Sequence, residues 1–142
     1  MSGRVLYLSE DLAAAVLRAA TRAYPAECCG LIEGVDTHAG WQAVAMHEAA
    51  NVADDPKKHF LIEPQIQFDL MRRVRGSERR ILGCFHSHPG GTPEPSARDR
   101  AEAYEAGFVY LIAGGDPESG FTLKAYVFDG GHKAFDKVAL QH

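Results

Sequence analysis

An α/β or α+β fold, with helices packed on a mixed β-sheet, is predicted by three features of the sequence. Short apolar runs alternate along the chain with stretches of helical periodicity. Gly, Pro and capping residues stand at the joins between them. Phe108–Ala113 is almost wholly apolar, as expected of a strand buried on both faces.

The elements follow in order. Val5–Leu8 reads as a short strand. Ser9 offers an N-cap, with Glu10 and Asp11 in the favourable first turn. Leu12, Val16, Ala19, Ala20 and Ala23 recur at helical spacing up to Tyr24, and Pro25 stops that helix. Cys28–Ile32 reads as a strand ending before Glu33-Gly34, and Trp41–Met46 as its partner. His59–Ile62 is a further strand candidate. Pro64 suits a helix N1 position, Ile66, Leu70 and Val74 follow at steps of four, and Gly76 closes the helix. Ile81–Phe85 is a buried strand running into a His-rich turn. Ser96–Ala106 reads as a helix ending at Gly107. Gly114–Gly120 is a loop, Phe121–Phe128 a strand and Gly130-Gly131 a turn. His132–Leu140 fits a strand or a helix.

Composition narrows the function classes. The chain has 142 residues, which reads as a single domain over 1–142 with one real core. Fifteen Lys and Arg against 19 Asp and Glu leave a charge of −4, so no global field attracts nucleic acid. No apolar run approaches the roughly 20 residues of a membrane helix. Met1–Val5 lacks the pattern of a signal peptide. Cys28, Cys29 and Cys84 are odd in number and two are adjacent, a poor disulfide framework. Reduced thiols and a cytoplasmic location are therefore expected. Arg72, Arg73, Arg75, Arg79 and Arg80 form a basic cluster, read as a solvated face or as a docking patch for an acidic partner. Trp41 is a core or platform residue.

The chemistry concentrates in residues 86–99. Side chains of an extended strand alternate, so Leu82, Cys84, His86 and His88 are expected on one side. Gly90, Gly91, Pro93 and Pro95 then turn the chain, and a helix starts near Ser96. Its first turn brings Asp99 back toward the imidazoles. Two His and one carboxylate form a catalytic zinc set with a fourth position left for water. Ser96-x-x-Asp99 also has the form of a capping box, which explains that pair without metal. A metal hydrolase further needs a general base. Glu27, between Pro25 and the strand that follows, is one of 19 acids, and spacing alone does not separate it from an ordinary loop Glu. His38, His47, His59, His132 and His142 fit no ligand spacing.

These residues carry a resemblance. His86-x-His88-Pro89 followed by Ser96-x-x-Asp99, with seven residues between His88 and Ser96, resembles the metal motif of the JAMM metallopeptidases, also called MPN+ or JAB domains. Tyr24–Ile32 resembles the family segment that carries the catalytic Glu. Phe60–Pro64 and Tyr110–Ile112 are similar to its prokaryotic stand-alone members. The resemblance implies a mixed β-sheet flanked by helices, laid out like cytidine deaminases. It implies one zinc per chain, held by His86, His88 and Asp99. Glu27 would take a proton from the zinc-held water and give it to the leaving amine, and Ser96 would hydrogen-bond the oxyanion. The implied substrate is an amide after the C-terminal Gly-Gly of a ubiquitin-like or sulfur-carrier protein. An extended tail of that kind could add along a sheet edge, with glycine passing where a Cβ would clash. With 142 residues the chain resembles the bare catalytic domain, so strong selectivity for one polyubiquitin linkage is not expected. Nucleic acid and membrane are not expected partners, and a homodimer is one possible state.

Three competing readings remain. MPN relatives that have lost their ligands serve as non-catalytic scaffolds, whereas here the Glu, both His, the Ser and the Asp are present. A zinc deaminase would need a Pro-Cys-x-x-Cys element, which Cys28-Cys29 does not provide. A thiol enzyme would use Cys84, which is expected instead to pack under the metal.

Overall fold

The computed structural model describes residues 4–132 and 134–142. Met1–Gly3 and Lys133 lie outside the described residues, and with them most of the segment on which the signal-peptide expectation rests. The elements are β1 (Val5–Tyr7), α1 (Glu10–Ala23), β2 (Cys29–Thr37), β3 (Gly40–Ala49), α2 (Pro64–Val74), β4 (Arg80–Pro89), α3 (Ala97–Glu102), β5 (Val109–Asp116), β6 (Gly120–Asp129) and β7 (Ala134–Gln141). The sheet runs β1-β3-β2-β4-β5-β6-β7. It is mixed, since β4 is antiparallel to β2 and parallel to β5. This is the α/β class expected. The sequence reading did not foresee that the sheet closes on itself, through the three-residue β1, which pairs in parallel with both β3 and β7.

Each helix forms for a local reason and covers one face. The Ser9 hydroxyl accepts from the Leu12 N–H at 3.2 Å and starts α1. Val16, Ala19 and Ala20 are its buried stripe. α1 touches β3, β4, β5 and β6, so the curved sheet wraps around it. Leu6, Ile32, Leu82, Phe85, Leu111 and Val127 complete that core. Helix α2 has Pro64 at N1, and the Glu63 carboxylate accepts from the Gln65 N–H at 2.8 Å. Leu70, with Ile66 and Val74, packs on the other face against Leu31 and Cys84. None of the helices among the described residues is long and apolar enough to cross a membrane.

Several expectations are corrected. Leu82 does not share a side with Cys84. Ile32 pairs with Gly83 and Glu33 with Ile81, so Leu82 is the extra residue of a β-bulge and turns into the α1 core. The histidines lie in β4 itself rather than in a turn beyond it. Strand β2 runs on through Glu33-Gly34 across a bulge. The 114–120 loop shrinks to a tight turn, because β5 continues to Asp116 and β6 begins at Gly120. His132–Leu140 resolves into strand β7, from Ala134. His59–Ile62 is not a strand. A single bridge, Asn51 to Ile62, pairs it with the chain just past β3, and the Asn51 side chain takes up the His59 carbonyl and the Leu61 N–H. Helix α3 stops at Glu102 rather than Ala106. The Gly107 N–H is drawn to the Phe128 carbonyl at 2.9 Å and the Phe128 N–H to the Phe108 carbonyl at 3.0 Å, which pulls the chain into β5. Three arginines of the basic cluster are paired, Arg72 with Asp69, Arg79 with Glu33 and Arg80 with Asp36. Trp41 is buried in the core.

Candidate metal centre

β4 lies between β2 and β5 and carries two imidazoles out of the sheet on the α2 side. His86 pairs with Cys29 on one neighbour and Ile112 on the other, and His88 pairs with Gly114. The chain then turns at Gly90, whose φ is +71°. The following loop crosses directly over Gly114. A Cβ on Gly114 would stand 2.4 Å from Pro93 N and from the Thr92 carbonyl carbon, so this close approach requires glycine. The crossing sets up His88, whose Nδ1 donates to the Thr92 carbonyl at 2.8 Å. That bond places the proton on Nδ1 and leaves the Nε2 lone pair facing the site.

One geometry makes Ser96-x-x-Asp99 a capping box and also turns the Asp99 carboxylate toward the imidazoles. The Ser96 hydroxyl accepts from the Asp99 N–H at 3.0 Å, and the Ser96 N–H donates to Asp99 Oδ2 at 2.8 Å, a reciprocal capping box. The same carboxylate faces the imidazoles. Asp99 Oδ1 lies 3.2 Å from His86 Nε2, and Oδ2 lies 3.2 Å from His88 Nε2. The two Nε2 atoms are 3.1 Å apart.

This donor set fits zinc. A tetrahedral ion with bonds of about 2.0–2.1 Å separates its ligands by about 3.3 Å. The triangle of His86 Nε2, His88 Nε2 and Asp99 Oδ2 has edges of 3.1, 3.2 and 3.3 Å, close to that value. His86 is fully buried, and its ring stacks on Phe60 with centroids 4.2 Å apart. Burial holds its pKa below the ordinary value. Burial thus favours its neutral form, the form in which an imidazole binds a metal. Burial also opposes a charge on Asp99, but hydrogen bonding to His86, His88 and the Ser96 N–H outweighs it and holds the carboxyl far below the usual range. For His88 burial is likewise outweighed, by Asp99, the Thr92 carbonyl and Glu27, and its pKa is raised.

Glu27 is brought to the same place from the other neighbour. The Cys28 N–H donates to Ser87 Oγ at 2.8 Å and the Ser87 N–H to the Cys28 carbonyl at 3.1 Å. These bonds extend the β2–β4 register by one residue and bring Glu27 level with His88. Glu27 is 6% exposed. Burial, opposed by His88 and reinforced by Asp99, lifts its pKa to about 7. Such a carboxyl exchanges protons near neutrality, as a general base should. Ser96 is exposed, at the mouth of the site.

The thiols are poor nucleophiles. Burial pushes Cys28 up to about 11 and Cys29 to about 12, and Cys84 higher still. Cys84 instead lines a cavity of about 240 Å³ with Leu31, Phe60, Tyr104 and Tyr110, and Asp99 forms part of its wall. Sequence reasoning missed Ser87, Phe60 and the Thr92 carbonyl. Ser87 had a signal, because alternation between His86 and His88 points it to the opposite side of the strand. A carbonyl carries none, since every residue has one.

The family described as prokaryotic homologs of the JAB domain matches residues 9–127. A desampylase of Haloferax volcanii is 36% identical over 92 residues. That match covers 65% of this chain and 65% of the relative, so it spans just under two thirds of the relative's length. A protein of Desulfitobacterium hafniense, solved in solution, superimposes with a TM-score of 0.81 at 25% identity, over 96% of this chain and 91% of that one. A JAB1/MPN domain protein from Archaeoglobus fulgidus shares the fold, with a TM-score of 0.58 at 19% identity over 99% of both chains.

Proposed function

Because the chain belongs to the family of prokaryotic homologs of the JAB domain, we propose that it is a zinc-dependent isopeptidase acting on a ubiquitin-like modifier. More finely, it hydrolyses the amide after the C-terminal Gly-Gly of a ubiquitin-like or sulfur-carrier protein. One observation carries this reading: two imidazole nitrogens and one carboxylate oxygen stand 3.1 to 3.3 Å apart, level with the buried carboxyl of Glu27. The name of the desampylase relative supports the isopeptidase class.

His86, His88 and Asp99 would hold the metal. Zinc bound there supplies Lewis-acid polarisation of a water and of the scissile carbonyl. Glu27 accepts a proton from the attacking water and returns it to the leaving amine nitrogen, so carboxylate and amine leave without an acyl-enzyme. The Ser96 oxygen already accepts from the Asp99 N–H, which leaves its O–H free to donate to the oxyanion. β4 has a strand on each side, so the tail does not add to the strand that carries the ligands. It runs over the face, with the cavity beside Asp99 to take an apolar side chain. Residues 1–142 act as one cytoplasmic catalytic domain in this reading.

The test is zinc stoichiometry on untagged protein, with His88→Ala as control, followed by cleavage of peptide fusions to Gly-Gly-ended carriers. About one zinc per chain, lost in the variant, with cleavage at the Gly-Gly amide, is expected. Protein that takes up no supplied zinc would be a scaffold.

A further inference from the structure

The segment between β3 and α2 is gathered by one side chain. Asn51 Nδ2 donates to the Glu27 carbonyl at 3.1 Å and to the His59 carbonyl at 2.9 Å, with the Pro56 carbonyl at 3.4 Å. Its Oδ1 accepts from the N–H groups of Ala53 and Leu61, both at 3.1 Å. This pattern fixes the orientation of the amide, because a flip would set oxygen against carbonyls and NH₂ against N–H groups.

Two parts of the site meet there. Glu27 donates its N–H to the Pro56 carbonyl at 2.7 Å, so both of its backbone polar groups are bound to the 51–56 stretch. His59 and Leu61 flank Phe60, the ring stacked on His86. An Asn that served only its own loop would bond only loop groups. The bond to Glu27 reaches back 24 residues to the base itself.

We propose that Asn51 is a positioning residue: its NH₂ group ties the Glu27 peptide to the loop that holds Phe60 on His86, and so sets where the Glu27 carboxylate stands relative to His86, His88 and Asp99. The kinetic part of the proposal rests on the function proposed above, and the tie itself does not.

Two variants of the full, zinc-loaded chain test it. Asn51→Asp keeps the acceptor for Ala53 and Leu61 and loses the donor; Asn51→Ala loses both and adds no charge. Amide hydrogen exchange should quicken at Glu27 by about tenfold or more in both, while Leu111 and Ile112 in β5 keep wild-type protection. Ala53 and Leu61 should stay protected in the Asp variant only. A misplacement of about 1 Å should lower kcat by about 100-fold in both, with KM and zinc content near wild type. A wild-type kcat in the Ala variant, Glu27 exchange left unchanged, or protection lost equally in β5 would each overturn the proposal. If the Ala variant does not fold, the Asp variant decides by the same criteria. If wild-type protein cleaves no Gly-Gly fusion, the functional reading fails. The exchange pattern then decides the tie alone: selective loosening of Glu27 upholds it, and unchanged exchange overturns it.

Discussion

The Ser87 hydroxyl accepts the Cys28 N–H at 2.8 Å, so the residue between His86 and His88 holds the residue next to Glu27. Ser87 is 1% exposed and the bond is buried. Ser87→Ala leaves a buried donor without its partner and should cost about 1–3 kcal/mol. It should also lower kcat while zinc remains bound. Urea unfolding and steady-state kinetics on the same preparation check both effects.

Glu27→Gln should retain zinc and lose turnover by about 10²–10⁴-fold. In the metal-free protein it should act on stability in the opposite direction. The folded pKa of Glu27 is about 7 against 4.5 for a free side chain. The native state therefore binds this proton more tightly, and the stability that binding confers is complete below pH 4.5 and lost as pH rises through 7. At pH 8 the ionised carboxylate is buried at a cost of up to about 3 kcal/mol, which Gln does not incur. Urea midpoints at pH 8 should favour the Gln variant, and the gap should narrow toward pH 4.5. A variant less stable than wild type at pH 8 would contradict the burial argument.

Asp99→Ala should remove the metal and half of the α3 capping box together. Zinc content should fall to background; the Ser96 N–H loses Asp99 Oδ2, at a cost of about 1 kcal/mol, while the Ser96 hydroxyl still accepts from the N–H of residue 99. His88→Ala should lose the metal with the cap intact. Elemental analysis with circular dichroism separates the two.

Gly114→Ala should act on the metal without touching a ligand. The added Cβ meets Pro93 and Thr92 at 2.4 Å, and the displaced loop takes the Thr92 carbonyl from His88. Loss of such an outer partner lowers metal affinity by about 10–100-fold. Competition against a zinc chelator measures it.

Cys84→Ser should keep kcat/KM within about threefold, as expected for a buried, protonated thiol with no part in the reaction. The three native thiols should resist alkylation until the chain is unfolded. An activity loss as large as that of Glu27→Gln would return the thiol reading.

The meeting of His86, His88 and Asp99 was legible because it obeys two short-range rules. Period-two alternation sets His86 and His88 on one side, and a capping box returns Asp99 to them. Cys84 was placed correctly by the same alternation. Leu82 was not, since one bulge residue reverses the count and no residue type marks it. Helices α1 and α2 were readable from their caps and apolar stripes. The ring closure was not, because it depends on three residues of β1 meeting strands remote in sequence. His59–Ile62 looked like a strand by composition, but a side-chain amide had claimed its backbone.

Asp99 Oδ2 serves the first turn of α3 and faces both imidazoles. A helix of six residues does not sustain itself in water. With zinc held there as proposed, metal uptake and the order of this helix would form one linked equilibrium, in which the bound ion stabilises the folded helix by mass action. Starved of zinc, the protein should soften first between Pro93 and Ala103. A protease cutting there would turn the zinc supply of the cell into the lifetime of the chain.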